Sequence, residues 1–114
     1  MTNAERLVFV RCADRFHREI VLYQDRWYDH IMADHRELSG REAAVLATLE
    51  QPDAIRRDRF RIDRECYYRQ GDSPRRQRYV KVVVEFIDTP FGLAGTVITA
   101  FAVDRIDLRE AHIW

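Results

Sequence analysis

Arg78-Tyr79-Val80-Lys81-Val82-Val83-Val84-Glu85-Phe86 is the stretch on which the fold turns. Strand side chains alternate between two faces. Val80, Val82, Val84 and Phe86 therefore form one apolar face, and Tyr79, Lys81, Val83 and Glu85 form the other. Lys81 is the single lysine of a chain with eighteen arginines. An ammonium in so apolar a strand must face water, a partner group or a ligand, because burying it unpaired is costly.

Working outward, residues 64–69 and 55–61 alternate charged with apolar or aromatic side chains, as half-exposed strands do. Arg69-Gln70-Gly71-Asp72-Ser73-Pro74 carries turn chemistry ahead of the Lys81 strand. Asp88-Thr89-Pro90-Phe91-Gly92 turns the chain after it, and residues 95–103 form the last strong strand. Towards the N-terminus, residues 5–12 and 18–23 predict a hairpin. From Asp25 the period lengthens: Trp27, Ile31 and His35 recur at i, i+4 and i+8, with Asp25 as N-cap. Ser39 and Glu42 form a capping-box pattern for a second helix, which Pro52 ends. Hairpin, two helices, then an antiparallel meander of three or four strands predicts an α+β domain with helices on one face of a sheet. It spans residues 1–114, and the tail 104–114 has no assignable structure.

The chain has 114 residues, 46% of them apolar, which suits one core. No stretch is long enough to span a bilayer, and no signal-peptide pattern opens the chain, so the expectation is a cytoplasmic protein with no membrane contact. Cys12 and Cys66 fit no metal or CxxC spacing. His30 and His35 lie about 140° apart on a helix, and His30 with Asp34 supplies only two ligands. No metal and no cofactor is expected.

The formal net charge is zero. Residues 56–81 nevertheless hold ten basic side chains against four acidic, net +6, while the rest of the chain, nine against fifteen, carries −6. Such polarity fits a local polyanion surface formed by Arg56, Arg57, Arg59, Arg61, Arg75, Arg76 and Arg78. It equally fits neutralisation across the fold. His30, His35, Tyr68, Arg69, Lys81 and Thr99 are the side-chain types that metal-free phosphodiester cleavage needs: proton donors and acceptors, with cations for the charged transition state.

The order Trp27-x-x-His30-Ile31-x-x-x-His35-x-Glu37, Pro52-Asp53, Tyr67-Tyr68-Arg69, Tyr79-Val80-Lys81-Val82-Val83-Val84 and Val97-Ile98-Thr99-Ala100-Phe101 resembles small phage and bacterial proteins of the barnase/EndoU/colicin/RelE-like (BECR) nuclease fold. The likeness covers residues 18–103. It implies helices packed on a four-stranded antiparallel sheet, and a metal-independent endoribonuclease of toxin or phage origin. The positions matching the pattern are His30, His35, Glu37, Tyr68, Arg69, Lys81 and Thr99. Arg36 departs from it, standing where the pattern has proline. The partners implied are RNA and a cognate antitoxin or immunity protein. The rival reading is a non-catalytic RNA- or protein-binding module with a nuclease-like fold, able to form a homodimer through the Trp114-terminated tail.

Overall fold

The computed structural model describes residues 6–71 and 78–114. Seven strands form one mixed sheet: β1 (Val8–Ala13), β2 (Glu19–Tyr23), β3 (Ala54–Arg57), β4 (Arg64–Gln70), β5 (Tyr79–Thr89), β6 (Gly92–Val103) and β7 (Ala111–His112). Their spatial order is β1-β2-β6-β5-β4-β3-β7. This overturns the expected four-stranded antiparallel sheet. The hairpin β1–β2 joins the sheet instead of standing beside it, through a parallel pairing of Glu19–Val21 with Ala94–Thr96. The tail adds β7 at the opposite edge, against Arg56 and Arg57 of β3.

The helical part is slight. A π-helix, Arg26–Ile31, runs into a single turn α1 (Met32–Asp34) and a 3₁₀ turn, Arg36–Leu38. Asp25 caps its start by accepting from the Arg26 N–H. The Met32 N–H reaches Trp27 O, a five-residue step that widens the turn. The longer α2 (Glu42–Glu50) begins after Arg41, without a side-chain cap. The Ser39–Glu42 capping box therefore does not form. Gly40, at φ +74°, turns the chain between Ser39 and Arg41 in a conformation that side chains with a Cβ resist.

The alternation of β5 holds. Val80, Val82, Val84 and Phe86 bury against Trp27, Ile31, Leu38, Val45 and Leu49 on the helix-covered face. Val83, Tyr68, Cys66 and Ala54 make a smaller cluster on the other face, flanked by Phe101 and Ile106. Gly95 lets β2, β5 and β6 meet closely: a Cβ there would lie 2.7 Å from Val84 Cγ1 and 2.8 Å from Phe86 Cε1.

One end of the core is closed by an ionic cluster. Arg18 Nη1 and Nη2 donate to the two oxygens of Glu65 at 2.9 and 2.8 Å, and Arg18 Nε donates to Asp14 at 2.9 Å. The Tyr67 hydroxyl donates to Asp14 at 2.7 Å. In a flat sheet β2 and β4 would stand roughly 14 Å apart, three strand spacings. The β1–β2 turn thus folds over the face, and the Arg18 guanidinium lies 4.2 Å above the Phe86 ring. No helix of the described residues is long and apolar enough to cross a membrane.

Candidate functional site

Lys81 stands between Tyr68 of β4 and Phe101 of β6, its direct partners across the ladder. Paired positions share a face, so all three side chains rise from the side opposite the helices. After Val103 the chain leaves β6 and crosses to β7, beyond β3. This strap, residues 104–110, passes over β5 and β4 and covers the Lys81 side chain.

Glu110, near its end, is only 3% exposed. Its Oε2 accepts from Lys81 Nζ at 2.8 Å and its Oε1 from the Tyr68 hydroxyl at 2.5 Å. Arg56 Nη1 holds the Glu110 backbone oxygen at 2.9 Å. The Asp107 N–H donates to the Tyr68 oxygen at 3.3 Å. Beside the trio lies an open cleft of about 600 Å³, lined by Tyr68, Lys81, Val103 at the end of β6 and residues 104–109 of the strap.

Burial and the Glu110 carboxylate together push the Tyr68 phenol up to about 12. For Lys81, burial works against the charge, but hydrogen bonds to Glu110 and Tyr68 outweigh it and raise its pKa. Burial pushes the Cys66 thiol up to about 12 against the opposing charge of Lys81. Asp58, Cys66 and Glu110 offer ligand atoms within 4.8 Å of one another. Their chemistry does not suit a metal. Glu110 is already satisfied, the Lys81 ammonium is adjacent, the thiol holds its proton, and Asp58 caps the turn at Phe60 and Arg61.

His35 reaches this face from the sheet edge. β2 pairs with β6 only over Ala94–Thr96, so the later part of β6 presents an edge not covered by β2. Glu37 Oε2 accepts from the Ala102 N–H there at 3.2 Å. The same oxygen lies 3.9 Å from His35 Nδ1. The imidazole stacks on Phe101 with centroids 5.1 Å apart, and Lys81 Nζ lies 5.7 Å from the centroid of that ring. Thr99 precedes Phe101 by two on β6, on the same face, but stands opposite Val83 and not Lys81.

Two expected members are not brought to this group. His30 is exposed on the π-helix, whose Trp27 and Ile31 pack on the opposite face. Arg69 pairs with Val80 and so points to that opposite face, where its Nη1 donates to Gln51 O at 2.8 Å.

Of the expected arginine surface, Arg56, Arg57 and Arg61 are engaged within the fold. Arg56 serves the strap. Arg57 donates to Ile62 O at 2.8 Å and lies 3.6 Å from Glu65. Arg61 pairs with Asp63 at 3.0 Å and Glu85 at 3.3 Å. Arg59 is exposed over the Phe60 ring, and Arg78 is exposed at the start of β5. Arg75 and Arg76 lie outside the described residues. The tail folds back: the Trp114 N–H bonds Ile55 O at 3.0 Å, and Arg15 lies 3.6 Å from the indole centroid.

Sequence reasoning missed Glu110, because residues 104–114 carry no period. The one available signal was indirect: a lysine in an apolar strand must face water, a partner group or a ligand, and a partner carboxylate is one of these. Compared with family models, curated proteins and solved structures, the chain matches none of them.

Proposed function

We propose that the protein is a metal-independent endoribonuclease whose working face carries Lys81, Tyr68 and His35. The observation that supports it is that an imidazole and an ammonium share one aromatic ring, Phe101, and that the ammonium lines an open cleft. Imidazole suits proton transfer at neutral pH. Stacking on Phe101 holds the ring, and the Glu37 carboxylate lies 3.9 Å from Nδ1. Lys81, with Tyr68, supplies a fixed cation and a hydroxyl for the scissile phosphate, where charge grows in the transition state. Thr99 adds a hydroxyl on the same face.

The test is incubation with total RNA in EDTA, comparing wild type with His35→Ala and Lys81→Met. Loss of a positioned proton-transfer group lowers cleavage by about 100- to 10,000-fold. Absence of cleavage by the wild type, or equal cleavage by all three proteins, removes the reading.

One observation favours the rival, a non-catalytic RNA- or protein-binding module: Lys81 is already neutralised by Glu110. RNA retained in a mobility-shift assay but left uncut would select it.

A further inference from the structure

We infer that Lys81 and Tyr68 form an oxyanion subsite that the chain itself fills with Glu110, so that phosphate binding requires the strap to release this carboxylate. The inference rests on the reading of the Lys81 face as the working face, and assigns its regulation.

The geometry is that of a bound anion. One carboxylate accepts two hydrogen bonds, from an ammonium at 2.8 Å and a phenol at 2.5 Å. A phosphate oxygen accepts from the same donors with the same charge sense. Both donors also line the cleft, so a ligand there reaches them from the open side.

The strap has the character of a separable unit. Asp104, Arg105, Leu108 and Arg109 are exposed, and of the strap side chains Ile106 packs on the apolar cluster below. Its far anchor, β7, pairs at Arg56–His112 and Arg57–Ala111 and is continued by Ile113 and Trp114 bonded to Ile55, so the part free to lift is the span between β6 and β7. Segments with few buried contacts open locally at low cost, without global unfolding. Arg109 pairs with Asp107 inside the strap at 2.9 Å, and the strap carries this pair with it when it lifts.

An intramolecular carboxylate competes with any added anion. Apparent affinity falls by the fraction of time the site stands open. Glu110→Gln keeps the shape and the acceptor for Tyr68 but removes the charge that holds Lys81. Glu110→Asp keeps the charge but shortens the reach.

The experiment is calorimetric titration of the full chain at fixed ionic strength. The probes are inorganic phosphate and, separately, a 2′-O-methyl oligoribonucleotide that cannot be cleaved. Glu110→Gln is expected to bind at least about 10-fold tighter than wild type, the gain from freeing a site closed nine-tenths of the time. Adding Lys81→Met abolishes the gain. Gain with phosphate alone identifies a free-phosphate site, and gain with the oligonucleotide identifies a diester site. Should Glu110→Gln fail to fold, Glu110→Asp reads the same competition with a smaller gain. Affinities equal to wild type in every foldable variant, or a gain that survives Lys81→Met, overturn the inference. Wild-type failure to cut RNA defeats the ribonuclease reading and leaves this titration standing, so the two failures are distinct.

Discussion

Lys81 and Glu110, 29 residues apart in the chain, meet at 2.8 Å beneath a segment that crosses the sheet. Their side chains are 12% and 3% exposed, so neither charge has water as an easy alternative to the other. The Lys81 face is thereby organised around a contact between the central strand β5 and the tail.

Removing one partner leaves the other buried and uncompensated. Lys81→Met is expected to lower unfolding stability by about 3 kcal/mol, as for other broken buried pairs. The double variant Lys81→Met/Glu110→Gln is expected to recover much of that loss. Urea denaturation of the four proteins of the cycle measures both terms. A single-variant cost below about 1 kcal/mol would place the pair among weak surface contacts.

Alkaline pH tests Tyr68. Its folded pKa, about 12, lies above the ordinary phenol value of 10.0. The folded state therefore keeps a proton that the unfolded chain gives up, and stability falls as pH rises. The Tyr68 contribution is fully present below pH 10 and is lost as pH climbs through 12. Lys81, also raised, acts in the same direction. Melting temperatures across that window are expected to fall less steeply for Tyr68→Phe. An unchanged slope would mean that the phenol is neither buried nor held by Glu110 as the structure has it.

Gly95→Ala addresses packing. The added methyl would meet Val84 and Phe86 below 3.0 Å and Ile20 at 3.2 Å, all core side chains. Overpacking of this kind costs about 1–3 kcal/mol. Chemical denaturation should show the loss. A neutral result would mean that the β2–β6 junction yields more readily than its contacts indicate.

The thiols are expected to be inert in the folded protein. Burial, aided by the charges of Glu50 and Asp14, pushes Cys12 up to about 11, and Cys66 rises to about 12. Each pKa unit cuts the thiolate fraction tenfold, so native labelling should run about 100-fold or more below that of a free thiol. Rapid labelling of Cys66 without denaturant would contradict its burial beside Glu110.

Several features were legible in the residues. Val80, Val82, Val84 and Phe86 point one way because the strand period is a property of the local backbone. Asp25 caps the π-helix for an equally local reason. Ser39 did not cap α2, because Gly40 turned the chain and moved the helix start past Arg41. The arginines of residues 56–61 fit either a polyanion surface or neutralisation across the fold, and Glu65, Glu85 and Asp63 take up Arg57 and Arg61. That outcome depends on strand register, which charge composition does not encode.

By itself, the sequence determined where the principal strands lie, short of β7, which face of β5 is apolar, and that Lys81 must face water, a partner group or a ligand. Only the tertiary structure decided that the counter-charge is Glu110, that His35 and not His30 reaches Phe101, and that the N-terminal hairpin and the tail widen the sheet to seven strands. Periodicity arises between near neighbours and is written along the chain. Strand pairing and ion pairing join distant positions, and become defined when the whole backbone is in place.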